Sequence, residues 1–188
     1  EWGVEATIRR LIGMFAIALW DREDRTLTLM RDRMGIKPLY WGWIGKTFAF
    51  GSELKALRAV PGWNAEIDRD ALAAYMRYCY VPAPKSIYRG VSKLEPGTIM
   101  VVDAVGNISA RRYCDTRAVM IEAAKNRVAM SDTEATDHLD NLLRDAVARR
   151  MVADVPVGAF LSGGIDSSAV VAQMQAASPR PAHTFLIG

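Results

Sequence analysis

The residues best equipped for chemistry form one short run, Ser162-Gly163-Gly164-Ile165-Asp166-Ser167-Ser168. Two adjacent glycines let a backbone bend tightly and come close to an anion. A helix starting just after them would offer N–H groups with no intrahelical partner and the positive end of its dipole. The hydroxyls add further donors, and Asp166 adds a hard carboxylate suited to Mg2+. The spacing differs from a Walker A loop, which needs Gly-x4-Gly-Lys-Ser/Thr, and no lysine lies inside the turn. The run therefore predicts a nucleotide site in which metal, hydroxyls and backbone hold the phosphates.

Such a cradle must be held between a strand and a helix, and both are foreshadowed. Residues 155–161 are an apolar run that reads as a strand, and residues 169–177 read as a helix. Beyond Pro179 and Pro181, residues 184–187 read as a second buried strand. Strand, turn, helix and strand make the beginning of a doubly wound α/β domain. Two strands cannot close such a core, so the domain is expected to be truncated. Upstream, Ser131-Asp132-Thr133-Glu134 fits a capping box. Leu139, Leu142, Leu143, Ala146 and Val147 then follow at helical spacing, which predicts a core-packing helix.

The first part of the sequence reads as β structure. Residues 14–20 and 26–30 flank a polar turn, 21–25, as in a hairpin. Residues 39–44 and 47–50 flank Gly45-Lys46 and predict a second. Residues 97–103 and 108–113 predict a third around the turn 104–107. Ser52-Glu53 reads as a helix start, and Asp68 can cap another helix carrying Ala71, Leu72, Tyr75 and Met76. Pro82 and Pro84 would end it. Residues 115–130 lack a sustained pattern and read as a linker with some helix. Arg31, Asp32, Lys37 and Glu53 lie in or beside β structure and predict a buried or half-buried ion-pair network that fixes a turn; a second reading has them organise the interior end of the domain.

Composition narrows the function classes. The 188 residues carry a net charge of +3 with acids and bases interspersed, a solvated surface and not a nucleic-acid stripe. No apolar run nears the ~20 residues that span a membrane, and the first residues do not resemble a signal peptide. Cys79 and Cys114 sit in no metal-ligand spacing and read as reduced, buried thiols of a cytoplasmic protein. His138 and His183 are isolated, and a structural role is expected for His183.

Ser162-Gly163-Gly164-Ile165-Asp166-Ser167 resembles the loop of the ATP-pyrophosphatase (PP-loop) enzymes. Asp154-Val155-Pro156-Val157-Gly158-Ala159-Phe160-Leu161, running into it, resembles the glutamine-hydrolysing asparagine synthetases. The same family is matched in order by Gly13-Met14-Phe15-Ala16-Ile17-Ala18-Leu19-Trp20-Asp21 and by Arg31-Asp32-Arg33-Met34-Gly35-Ile36-Lys37-Pro38-Leu39-Tyr40. Phe50-Gly51-Ser52-Glu53-Leu54-Lys55-Ala56-Leu57, Tyr80-Val81-Pro82-Ala83-Pro84 and Leu94-Glu95-Pro96-Gly97 continue it.

The resemblance implies an α/β (α+β) chain: the rear part of an Ntn-type α/β/β/α sandwich, then the start of a doubly wound PP-loop domain. Residues 1–115 would be the glutaminase part, 116–130 a linker and 131–188 the truncated synthetase part. It implies amide synthesis from ATP, glutamine and aspartate or a related carboxylic acid, through β-aspartyl-AMP, with ammonia passing between the domains. Leu161, Ser162, Gly163, Gly164, Ile165, Asp166, Ser167, Ser168 and Ile187 would bind ATP and pyrophosphate, with Asp166 on Mg2+. No nucleic-acid or membrane partner is implied, and a homodimer is one candidate assembly. The family's nucleophile is an N-terminal cysteine, whereas residue 1 is Glu, so no catalytic nucleophile is assigned and neither Cys79 nor Cys114 replaces it. The segments that bind glutamine and those that read the acceptor acid are also missing, so the 188-residue piece itself is expected to be inactive. Related amidotransferases of polysaccharide or natural-product pathways, and ring-closing β-lactam synthetases, share the loop and the domain pair. A non-catalytic nucleotide-binding module is the third reading, opposed by the intact loop.

Overall fold

The computed structural model describes residues 2–186. It divides into two compact units, Glu1–Asn126 and Arg127–Gly188. In chain order the first contains α1 (Gly3–Arg10), β1 (Ala16–Asp21), β2 (Thr26–Arg31), β3 (Tyr40–Ile44), β4 (Thr47–Gly51), α2 (Leu54–Arg58), α3 (Arg69–Tyr78), β5 (Val91–Lys93), β6 (Thr98–Val102), β7 (Ile108–Arg112) and α4 (Thr116–Lys125). The second contains α5 (Asp132–Arg150), β8 (Gly158–Phe160), α6 (Ile165–Ala176) and β9 (His183–Phe185).

The three predicted hairpins form and are sorted into two antiparallel sheets, ordered β1-β2-β6-β7 and β4-β3-β5. At the first tip the Asp21 carboxylate accepts the N–H groups of Glu23 (2.8 Å) and Asp24 (3.1 Å), the local bonding that makes aspartate a turn residue. Alternation along the strands then sets the layers. Leu29, Met100 and Val102 turn inward onto Leu39, Leu94, Trp41 and Phe48, which fill the space between the sheets. Met30 and Ile99 face the other way, onto Ile8 of α1 and Tyr113. Ile44, Ala49 and Val91 pack beneath Leu57 of α2. The order helix, sheet, sheet, helix is the α/β/β/α layering expected. Helix α1 is an addition to the elements that the sequence predicts. Its readable sign is the spacing of Val4, Ile8 and Leu11, all of which join the layer on the outer face of the first sheet.

One connection ties these layers together. Asp32 is only 1% exposed, and its carboxylate accepts four backbone N–H groups. Oδ1 takes Met34 (3.2 Å) and Ile36 (2.9 Å), and Oδ2 takes Lys37 (2.9 Å) and Phe15 (3.3 Å). Arg31, also buried, donates to the carbonyls of Lys37 (2.8 Å), Leu94 (2.5 Å) and Gly35 (2.6 Å). The expected ion-pair network is therefore replaced by charges satisfied on the backbone. Lys37 and Glu53 are exposed, and Glu53 pairs instead with Lys55 at 2.6 Å. A carboxylate needs several donors once out of water, and a tight turn supplies N–H groups that lack a sheet partner. The same turn seats Gly97, whose N–H bonds the Asp32 carbonyl (2.9 Å) and whose carbonyl accepts from Tyr113 (2.8 Å). With φ at +62°, Gly97 lies so close to its neighbour that an added Cβ would fall 2.2 Å from the Cys114 carbonyl oxygen.

Residues 115–130 contain the helix expected in them: α4 is a ten-residue helix, capped by Asp115, whose carboxylate accepts from Ala118 N–H at 3.1 Å. Asp68 caps α3 as predicted, accepting from Asp70 (2.9 Å) and Ala71 (3.0 Å). The thiols are free, and the expected burial holds for neither: Cys79 is exposed and Cys114 half-buried. Both histidines are exposed.

In the second unit the Ser131–Glu134 capping box starts α5. Only the far end of its stripe is covered: Val147 is buried, whereas Leu139 and Leu142 are 58% and 57% exposed. α5 meets α6 through a bond from Gln173 Nε2 to Asp140 Oδ1 (2.5 Å). β8 and β9 pair in parallel from Gly158↔His183 to Phe160↔Phe185. The apolar run 155–161 yields only three strand residues because a strand extends only where a partner faces it. The expected burial of the second strand does not hold, since His183, Thr184 and Phe185 are exposed. Among the described residues no helix is long and apolar enough to cross a membrane.

Three outcomes follow from the turn. Asp32→Ala should cost about 3 kcal/mol of stability by urea unfolding, because it strands buried N–H donors. Burial pushes the Asp32 carboxyl up, but the N–H groups of Lys37, Ile36, Phe15 and Met34 together outweigh this and hold it below its ordinary value. Its stabilising contribution is therefore complete above the unfolded value of ~3.9 and fades as pH falls through the lower folded value. Asp32→Asn should remove that component of the acid limb. Gly97→Ala should cost about 2 kcal/mol or more, from the left-handed backbone and the carbonyl clash; a wild-type unfolding midpoint would contradict this packing.

Candidate functional site

The loop is fixed from both sides. Leu161 N–H bonds the Phe185 carbonyl at 2.9 Å, carrying the β8–β9 pairing one residue further and anchoring the chain where it leaves the sheet. The backbone reverses at Gly163, with φ at +78°, a conformation that costs glycine nothing. Helix α6 begins at Ile165, inside the motif and not after it, with Gly164 as its N-cap. Gly164 brings no capping side chain, so the first-turn N–H groups are left for another acceptor. A helix N-terminus left in this way suits an anion.

The hydroxyls converge on the same spot. Ser162 Oγ lies 3.1 Å from Ser167 Oγ, and Ser167 Oγ donates to the Gly164 carbonyl at 3.1 Å. Ser168 donates to that carbonyl twice, through Oγ at 2.8 Å and through N–H at 3.1 Å. Leu161 and Ser167 are half-buried, and Ser162, Gly163, Gly164, Ile165, Asp166 and Ser168 are exposed. The structure thus brings together the predicted residues 161–168; Ile187 lies outside the described residues. The role of the carbonyls was not foreseen, because a sequence motif carries no sign of which backbone acceptor a hydroxyl will choose.

Asp166 stands exposed in the first turn of α6 beside the uncapped N–H groups. Among the described residues no group of three or more His, Cys, Asp or Glu side chains could hold a metal alone. The sheet also tells which end to prefer. A groove of about 440 Å³ is lined by Asp154, Arg180 and His183 among others, before β8 and β9. It lies at the strands' N-terminal ends, whereas ligands of open α/β sheets bind beyond the carboxyl ends, where the loop sits.

The family model described as "Glutamine amidotransferase domain" matches residues 1–114, and the one described as "Asparagine synthase" matches residues 138–188. A putative asparagine synthetase [glutamine-hydrolyzing] 2 of Methanocaldococcus jannaschii is 36% identical over 96% of this chain and 35% of its own length. A putative asparagine synthetase of Mycobacterium bovis is 40% identical over 96% of this chain and 28% of its own. Asparagine synthetase 3 of Bacillus subtilis is 35% identical over 100% and 30%. The chain therefore spans about a third of the length of the curated relatives it matches. With an amidotransferase sandwich in its first unit and an SGGxDS loop between strand and helix in its second, the chain belongs to the family of glutamine-hydrolysing asparagine synthetases.

Proposed function

We propose that the protein containing this chain makes an amide from a carboxylic acid, using ATP and glutamine-derived ammonia, and releases AMP and pyrophosphate. The observation that carries the reading is the loop 162–168, beyond the carboxyl end of β8, with converging hydroxyls and an uncapped helix start. The glutamine amidotransferase match in the same chain supports glutamine as nitrogen source. Residues 1–115 are read as the glutaminase part, 116–130 as a connector and 131–188 as the synthetase part, working in the cytoplasm.

A carboxylate is a poor electrophile because its leaving group would be oxide. Joining its oxygen to the α-phosphorus of ATP, with loss of pyrophosphate, gives a mixed anhydride. Ammonia then attacks the acyl carbon and AMP departs, with β-aspartyl-AMP as the intermediate if the acid is aspartate. The difficult moment is the build-up of charge on pyrophosphate, and fixed donors aimed at it lower the barrier. Gly163 and Gly164 let the backbone approach, the N–H groups of Ile165, Asp166 and Ser167 point outward, and Ser162 and Ser167 add O–H donors. Leu161 and Ile187 would contact the adenosine. Asp166 would hold Mg2+, which when bound neutralises phosphate charge.

Full-length protein supplied with MgATP, glutamine and either aspartate or a related acid should form AMP and pyrophosphate in step with amide. Release of ADP in their place would overturn the reading. Asp166→Ala should lower AMP formation by roughly a hundredfold or more while glutamine hydrolysis persists. Undiminished AMP formation in that variant would sink the metal role.

A further inference from the structure

We propose that Ser167 and Ser168 divide their work within the phosphate loop: Ser167 supplies a hydroxyl donor that turns from the Gly164 carbonyl to the ligand, and Ser168 is a positioning residue that holds the Gly164 carbonyl throughout. The inference rests on the nucleotide reading above.

The Gly164 carbonyl receives three donors: Ser168 N–H (3.1 Å), Ser168 Oγ (2.8 Å) and Ser167 Oγ (3.1 Å). A carbonyl oxygen offers two lone pairs, so one donor is surplus. The two from Ser168 arise from a residue held within α6. The Ser167 bond is the longer of the two hydroxyl contacts and belongs to a chain. Because Ser167 donates to Gly164, the 3.1 Å contact between Ser162 and Ser167 makes Ser162 the donor there. A phosphate oxygen entering the loop can accept the Ser167 O–H in place of the Gly164 carbonyl, with the Ser167 oxygen still able to accept from Ser162. The Gly164 oxygen then keeps two donors, both from Ser168, and nothing is stranded.

That retention has a geometric consequence. A peptide is planar and trans, so the carbonyl of Gly164 and the N–H of Ile165 point in opposite directions. Pinning the carbonyl toward the second turn of α6 aims the Ile165 N–H out of the helix end, where an anion would sit. The Ser168 hydroxyl thus acts on the ligand through the Gly164–Ile165 peptide without touching it. Gly164 itself has no Cβ to restrict its ψ, so without a second hold this peptide has more freedom to rotate.

The test measures AMP formation by full-length protein, with the KM for MgATP, the inhibition constant of pyrophosphate and the KM for the acceptor acid. Ser168→Ala, which favours the helix and so should not unfold it, is expected to raise the first two together by about fivefold, the worth of one hydrogen bond, with the third unmoved. Ser168→Thr, which keeps the hydroxyl, should recover most of the loss, and Ser168→Val, of the same shape without it, should not. Wild-type pyrophosphate inhibition in Ser168→Ala, or equal behaviour of Thr and Val, would overturn the division of work alone. No AMP from the unsubstituted protein would instead overturn the nucleotide reading beneath it.

Discussion

A single buried carboxylate organises the first unit. Asp32 receives N–H groups from Met34, Ile36 and Lys37 of the connection between the two sheets and from Phe15, just before β1. Arg31, its neighbour, secures the carbonyls on the other side of that connection and on the segment before β6. Neither charge leans mainly on the other. Each is solvated by peptide groups that a tight turn cannot pair within a sheet. The Tyr113 hydroxyl adds a bond to the Arg31 carbonyl at 3.0 Å, so the chain after β7 is held by the same node. Apolar packing supplies most of the driving force for the sandwich, but this turn decides how its sheets are joined.

The second unit rests on a smaller device. Its sheet has two strands, and much apolar surface stays open: Phe160 and Phe185 are 73% and 58% exposed. The loop is nonetheless well defined, because its restraints are local. A strand pairing fixes Leu161, one positive-φ glycine turns the chain, and a thrice-bonded carbonyl fixes the first turn of α6. A phosphate site built from backbone N–H groups requires only that these few peptides be oriented correctly.

Much of the secondary structure was legible for physical reasons. The hairpins showed because turn residues interrupt β-branched and apolar runs, and Asp68 and Ser131 showed because capping chemistry is local. What sequence missed depended on partners. Helix α1 begins without a capping side chain, so only its apolar spacing betrayed it. The strand at 155–161 came out shorter, since pairing fixed its ends. The ion-pair reading of Arg31, Asp32, Lys37 and Glu53 failed because charge type announces burial partners poorly: backbone donors and acceptors are invisible in a sequence. The same blindness hid the Gly164 carbonyl behind the serines of the loop.

By itself the sequence determined the family, the hairpins and caps, and the residue types at the candidate phosphate site, since each is written in local spacing. Tertiary structure alone decided that three hairpins split into two facing sheets, that Asp32 is satisfied by peptides and not by Arg31, and that α6 starts inside the motif. The reason is common to all three. Those outcomes depend on which distant backbone groups meet a given side chain, and such meetings exist only once the chain has folded.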